Sequence, residues 1–437
     1  MAKSKHIWPL SVLGHWQWFI RYVFIPVMLA KVRYPRVLRR LRAYPRGRKL
    51  RVLFVTGTPA KWKCQSLYDL MAKSDIFSPC ICQTICDIEH THHSHEERVT
   101  HLKKCEKFFK SRNMDYCEVY SRERPQWTDL NELKPDIVFY NQPWDLAPVQ
   151  QPHHVAKSAL TFQIPYFVAN YLIINFEIRN AFQRTLFGFC ALNQRWVDSY
   201  KKGISSFLFA GHILPVGHTA LDPYYLSPVT PSKNGLIIYA PHWSIDCPGN
   251  ENGENYSTFL QTGRAILAFA QSHREIRWVF KPHPTLRTAL ETTRVWSLKE
   301  IDDYYRAWAE VGEVREEGYE DLFRASRALI TDCGSFLTEY ACTGNPIVHL
   351  ISPTAKVGPC QPFAELYSTY YRVHDERELE ETLKTIILNG EDHKKAERLE
   401  QVRQNGLLGN YAAKNVVDYL ETLIFKKCKL IAHLAKK

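Results

Sequence analysis

No aspartate or glutamate occurs before Val52, although the 51 residues up to that point hold 13 lysines and arginines. The last stretch, from Phe425 to Lys437, adds five lysines and again no acid. Setting these 18 aside from the total of 57 leaves 39 basic against 45 acidic residues for positions 52–424, a net of −6. The formal charge of +12 therefore lies wholly in the two ends. A nucleic-acid enzyme carries its basic stripe on the folded body, so that class is set aside. The N-terminal segment also lacks a spanning stretch. Its longest run without charge is Ile7 to Ile20, shorter than the roughly 18 residues of a membrane-crossing helix, and Arg21 and Pro26 interrupt the apolar residues beyond it. No small-residue cleavage site succeeds the apolar part, which argues against a secretory signal.

What the segment does contain is "IWPLSVLGHWQWFIRYVFIPVMLAK", rich in Trp, Phe, Ile and Leu, and then "KVRYPRVLRRLRAYPRGRKLR", with ten cations. An apolar, Trp-rich run beside a polybasic one describes a helix lying in the interface of an anionic leaflet. The expectation is peripheral attachment to the cytoplasmic face of the cell membrane. Residues 1–50 form the attaching module, separable from catalysis, with the arginines from Arg33 onward meeting headgroups.

Twelve cysteines are spread over 437 residues without a C-x₂-C pair. With no export signal, free buried thiols are expected. Cys80, Cys82, Cys86, His90, His92, His93 and His95 cluster in sequence, yet no second half of a zinc site matches them. A strand followed by a solvated loop accounts for that stretch. No D-x-D string follows a strand, so no obligatory metal is expected.

From Leu50 onward, short apolar runs alternate with helical patterns. "LRVLFVTGTP", "PDIVFYNQP", "LTFQIPYFV" and "FLFAGHILPVGHT" read as strands of a first domain. After the polar, Pro-containing stretch Asp222–Asn234 the alternation restarts with "GLIIYAP", "IRWVFKPHP", "ASRALITDCGS" and "NPIVHLIS". Strands alternating with helices imply parallel sheets with right-handed crossovers. The expectation is two Rossmann-like domains, 51–225 and 226–437, facing a cleft.

In open parallel sheets ligands bind at the carboxyl ends of the strands. Three loops of the second half lie there. "YAPHWSID" presents His242 and Ser244. "KPHP" presents Lys281 and His283, held stiffly by the flanking prolines. "TDCGSFLTEY" presents Asp332, Gly334, Ser335 and, one turn into a helix, Glu339. Gly334 permits close backbone approach, and Ser335 reads as the cap of a helix whose start attracts phosphate. Two imidazoles, an ammonium, a hydroxyl and a helix N-terminus on one rim suit a diphosphate.

These residues carry a resemblance. "IIYAPHWSI", "STFL", "VFKPHPTL", "EEGYEDLFRASRALITDCGSFLTEY" and "NPIVHL", in that order, resemble the CDP-glycerol glycerophosphotransferase family of teichoic-acid and capsule enzymes. The likeness runs from about residue 50 to residue 355. It implies a GT-B fold, with the acceptor on the first domain and a CDP-linked donor on the second. It further implies that a polyol phosphate, glycerol phosphate above all, passes to a hydroxyl of a surface polysaccharide or lipid-linked acceptor, and that CMP leaves. By resemblance His283 and Ser335 hold the diphosphate, Lys281 adds charge and Glu339 meets ribose hydroxyls. Asp332 orients its loop. His242 is the expected base, or His283 with the roles exchanged, since an imidazole titrates near neutrality. No cofactor beyond the CDP-polyol donor is implied. The family's Trp-His-Gly-Thr motif is missing from the first half, where the nearest features are "YNQPWD", ending at Asp145, and His153 and His154. Two alternatives keep the architecture: a GT-B glycosyltransferase using a nucleotide sugar, and a non-catalytic membrane-bound scaffold of the same pathway.

Overall fold

A computed structural model describes residues 12–43, 47–84, 94–144, 146–168, 181–203, 206–229, 235–245, 255–316, 318–355 and 363–425. The chain divides into two compact units. One takes Met1–Tyr166, Ile173–Val216 and Ala413–Lys437, the other Phe167–Leu172 and Gly217–Ala412. Where the sequence suggested a change of domain at 225/226, the changeover falls at Val216/Gly217. The closing helix Ala412–Phe425 returns to the first unit, where Asn415 Nδ2 donates to Val216 O (3.0 Å) and Tyr419 meets the ring of Phe162.

The first unit carries β1 (Leu50–Thr56), β2 (Phe77–Gln83), β3 (Tyr116–Cys117), β4 (Ile137–Tyr140), β5 (Leu160–Gln163), β6 (Gly188–Ala191) and β7 (His212–Pro215). They form a parallel sheet in the order β3-β2-β1-β4-β5-β6-β7. The central strands are apolar on both faces because helices cover both, as a parallel sheet requires. Phe54 stacks on Phe139 (5.2 Å) and Phe139 on Phe162 (5.3 Å), so one aromatic row ties β1, β4 and β5 together.

In the second unit, β8 (Leu236–Ala240), β9 (Trp278–Phe280), β10 (Glu313–Val314), β11 (Ser326–Thr331), β12 (Ile347–Leu350) and β13 (Tyr371–Val373) give the order β10-β9-β8-β11-β12-β13, again parallel. Each sheet therefore runs outward one way from its first strand and then reverses. The reversal lies between β1 and β4 in one unit and between β8 and β11 in the other. Such a switch point leaves a crevice at the strands' carboxyl ends, because the two flanking loops diverge to opposite faces.

The N-terminal segment is helical from Val12 to Phe19, passes through a π turn at Ile20–Phe24 and continues as an α-helix to Arg42. No helix among the described residues is long and apolar enough to cross a membrane. The helix has two opposite apolar faces. Val23, Val27, Ala30, Tyr34, Val37 and Leu41 are buried, and the Tyr34 hydroxyl bonds Thr161 Oγ1 (2.6 Å) and Thr185 O (2.5 Å). Trp18, Tyr22, Ile25, Leu29 and Val32, at the same three-and-four spacing, are exposed. The expected separability of residues 1–50 is thus corrected, since helix Ile25–Arg42 is part of the first unit's core. Part of its charge is likewise spent inside the unit, with Arg33 donating to His153 O (2.6 Å) and Arg40 to Ser158 O (2.5 Å).

Cys64, Cys82, Cys105, Cys190, Cys333 and Cys342 are free and buried, but Cys80 and Cys117 form a disulfide between β2 and β3, which departs from the expectation for those two. Neighbouring parallel strands bring them together, since Cys82 pairs with Cys117 in register and Cys80 lies two residues earlier. Of the Cys/His cluster, residues 85–93 lie outside the described residues. His95 is engaged with the Tyr120 hydroxyl (3.1 Å) and Arg122 O (3.0 Å). No group of three or more His, Cys, Asp or Glu among the described residues is arranged to hold a metal ion.

On β12, His349 is buried with Nδ1 lacking a hydrogen-bond partner among the described residues. Burial, reinforced by Arg372 and His374, pushes its pKa down to about 3. A histidine depressed below its unfolded value of about 6.5 supports the fold fully above that pH, and the support is lost as pH falls from there through the folded value. The stake at full protonation is on the order of 5 kcal/mol. His349→Leu is therefore expected to make acid unfolding between pH 6 and 4 shallower by roughly one proton, read from urea midpoints across that range. An unchanged slope would show that the ring's protonation is not part of acid unfolding.

Candidate functional site

The three loops expected at the rim of the second sheet all emerge at its switch point. β8 ends at Ala240 and leads into His242, β9 ends at Phe280 and leads into Lys281 and His283, and β11 ends at Thr331 and leads into Asp332. The His242 and His283 rings lie 5.3 Å apart between centroids, with the half-buried Trp243 beside both.

Each imidazole is held by the same local device. His242 Nδ1 accepts from the Ser244 backbone N–H (3.2 Å) and bonds its hydroxyl (2.8 Å). His283 Nδ1 accepts from the Thr285 backbone N–H (3.3 Å) and bonds that hydroxyl (2.7 Å). A ring nitrogen that accepts from a backbone N–H carries no proton, so in a neutral ring the proton is on Nε2. For His242, burial pushes the pKa down to about 4, and the neutral form holds at physiological pH. Both rings consequently carry a proton on Nε2. This arrangement does not suit the base assigned to His242 from its titration range, because the nitrogen without a proton is already engaged. Thr285 and the repeated pattern His-x-Ser/Thr, "HWS" and "HPT", were legible in the sequence and were not picked out there.

Asp332 is the knot of the rim. Its buried carboxylate accepts from His242 N (2.5 Å), Thr258 N (2.6 Å) and Thr258 Oγ1 (3.2 Å), joining the β8 loop to the start of helix Phe259–Ser272. Burial pushes its pKa up to about 6, against these donors, which draw it down. Asp332→Asn turns one acceptor into a donor facing a donor. The expected cost is about 1–3 kcal/mol of stability, together with loss of ligand binding as the His242 loop comes loose. Thermal melts and nucleotide calorimetry on the one variant check both parts.

Helix Gly334–Ala341 begins differently from the expectation. Its cap position is Cys333, without a side-chain cap hydrogen bond, and Ser335 is the second helical residue, its hydroxyl 3.2 Å from Cys333 Sγ. The reason is Thr331, whose Oγ1 accepts from Cys333 N (2.9 Å) and so starts the turn two residues early. Gly334 is the first helical residue and is buried. Cys333 makes no side-chain cap bond of the usual kind, and the N-terminus of a helix favours an anion. Lys281 is buried and its ammonium donates to Glu316 O (2.6 Å), while its charge is felt at Cys333, next to that helix start.

Two residues sit elsewhere than their expected contacts. Ser244 is buried and serves the His242 ring, also accepting from Tyr256 N (3.1 Å). Glu339 is buried, its carboxylate accepting from the phenols of Tyr224 (3.2 Å) and Tyr319 (2.6 Å). The expected ribose contact of Glu339 would have to share or displace those phenols.

No protein family and no curated protein matches the sequence. Solved structures do match by fold. An S. aureus MnaA–UDP co-structure superposes with a TM-score of 0.53 at 12% identity, covering 85% of this chain and 96% of that one. A variant of the wall teichoic acid polymerase TagF soaked with CDPG superposes with a TM-score of 0.51 at 12% identity, covering 93% and 99%. At such identities the likeness is one of fold. Two parallel-sheet α/β units and this likeness fit the GT-B architecture.

Proposed function

We propose that the protein is a transferase using a nucleotide-diphosphate-activated donor, and that the donor is a CDP-polyol, CDP-glycerol first among them. The acceptor is a hydroxyl of a surface polysaccharide or of a lipid-linked intermediate at the cytoplasmic face of the membrane. The observation that carries this reading is the pair of imidazoles of His242 and His283, each with Nδ1 fixed and its proton on Nε2, at the second sheet's switch point beside the N-terminus of helix Gly334–Ala341. Phosphoryl transfer asks mainly for positioning and for neutralisation of the phosphoryl oxygens, which donors fixed before the substrate arrives supply without reorganisation. His283 and His242 donate to the diphosphate, Ser335 and the positive end of its helix meet the other oxygens, and Lys281 adds potential at the helix start. Asp332 and Ser244 position these groups.

The acceptor hydroxyl attacks the phosphorus that bears the polyol, the bond from that phosphorus to the bridging oxygen of the diphosphate breaks, CMP departs with the electron pair, and the hydroxyl's proton passes to the departing phosphate or to water. The fold is shared with both TagF and MnaA and does not choose the donor, so the polyol-phosphate reading rests on the resemblance of the second-half strings quoted above. Purified protein incubated with CDP-glycerol, CDP-ribitol and UDP-sugars, together with a glycan acceptor, provides the test. CMP release with donor phosphorus in the product is the expected result. UDP release with a phosphorus-free glycoside would replace the reading by a nucleotide-sugar glycosyltransferase, and absence of any nucleotide binding would favour a scaffold.

A further inference from the structure

The first unit has a switch point of its own, and the polar groups there are incompletely bonded. Thr56 closes β1 opposite Gln83 at the end of β2, and Asn141 and Gln142 come directly after β4. All four are buried. Thr56 Oγ1, Gln83 Oε1, Asn141 Oδ1 and Gln142 Oε1 have no hydrogen-bond partner among the described residues, and neither do Trp144 Nε1 nor Gln150 Nε2 close by. The other end of each glutamine is anchored. Gln83 Nε2 donates to Gly57 O (3.0 Å) and Gln142 Nε2 to Trp144 O (3.2 Å). Gly57 lies between them, since a Cβ there would come within 2.7 Å of Gln142 Oε1. Buried polar atoms are nearly always paired, and a group of unpaired ones at a sheet's ligand-binding edge marks a site that a ligand completes.

The chemistry of the six atoms selects the ligand. An anion would require donors throughout and a cation acceptors throughout. Here carbonyl oxygens and a hydroxyl stand beside an indole N–H and an amide N–H, none of them charged. Groups that both give and accept, such as alcohol hydroxyls, match that mixture. Beside them Trp144 and Tyr166 are half-exposed and set edge to face, 5.9 Å apart at 82°. Such a corner offers an apolar wall to the C–H face of a ring. We infer that the rim formed by Thr56, Gln83, Asn141 and Gln142 with Trp144 is a binding site for a neutral pyranose sugar, recognised by side-chain amides. It rests on the transferase reading only in making that sugar part of the acceptor. The string "YNQPW", which the sequence left without a role, supplies most of it.

Saturation-transfer NMR on the full-length protein tests the site, with a panel of methyl pyranosides that includes glucose and N-acetylglucosamine, and with glycerol and glycerol 3-phosphate alongside. At least one pyranoside is expected to receive saturation at its ring C–H protons. In Gln142→Met and in Gln83→Met the effect should fall at least fivefold. Each substitution removes an unpaired buried oxygen together with the Nε2 bond to Gly57 O or Trp144 O, so thermal melts check that both variants stay folded at the assay temperature. CDP binding, measured by calorimetry, should be unchanged in both variants. Silence of every pyranoside, transfer to glycerol alone, or equal transfer in the folded variants would each overturn the assignment. Pyranoside binding without any nucleotide binding would instead leave the sugar site standing and remove the transferase reading.

Discussion

His283→Ala is expected to lower turnover by two to three orders of magnitude while leaving the melting temperature close to that of the parent. A single donor aimed at developing charge is worth about 3–4 kcal/mol in the transition state. The ring is half-buried on a loop whose prolines remain, and its bonds to Thr285 are local, spanning two residues. Thr285→Ala should give a milder loss, because the backbone N–H of residue 285 still holds Nδ1 and only the hydroxyl bond disappears. The two variants together separate a donor from a general base. If His283 took the acceptor's proton, its loss would be rescued in part by raising the pH and by more nucleophilic acceptors. A missing oxyanion donor is rescued by neither. A variant retaining more than about a tenth of the parent rate would remove His283 from the site.

Vesicle binding should be lost from the exposed stripe of the N-terminal helix without loss of the fold. Trp18, Tyr22, Ile25, Leu29 and Val32 face away from the unit that buries Val27, Ala30, Tyr34 and Leu41. We propose that this stripe enters the interface of an anionic membrane, with the exposed Arg36 and Arg39 near headgroups. Ile25→Ser together with Leu29→Ser removes two apolar anchors, each worth roughly 1–2 kcal/mol in the interface, so flotation with phosphatidylglycerol vesicles should fall at least tenfold. Turnover on a soluble acceptor should be nearly unchanged. Truncation before residue 43 should behave in the opposite way to a detachable anchor. It strips several fully buried side chains from the first unit, at about 1.5–3 kcal/mol for each large one, against a total stability of about 5–15 kcal/mol, and the product should be insoluble. Raised salt should weaken flotation of the intact chain. Equal flotation of the double variant and the parent would show that another surface binds, and a soluble, active truncation would show that the helix is not core.

The sequence by itself determined the alternation of buried strands and amphipathic helices, the two parallel sheets that this alternation implies, and the carboxyl-end loops that bear His242, Lys281, His283 and Asp332. Those features are local. Apolar runs, flanking prolines and helix periodicity act over a few residues, and a strand's end fixes where its loop emerges. The concentration of charge at the ends was legible for the same reason. The bond from Cys333 N to the Thr331 hydroxyl, which moves the cap off Ser335, and the His-x-Ser/Thr turns, which set the tautomer of both histidines, are local as well, each spanning two residues. Tertiary structure alone decided the rest. Glu339 lies on the helix where it was expected, yet its partners Tyr224 and Tyr319 come from elsewhere in the chain. The N-terminal segment read as one apolar and basic stretch. Only packing separates the face that belongs to the core from the face left exposed, because an α-helix turns residues three and four apart onto common faces, and a stretch apolar on both gives no sign of which will be covered. The unpaired amides of the first unit were likewise invisible, since a glutamine in a sequence says nothing about whether the fold will satisfy it.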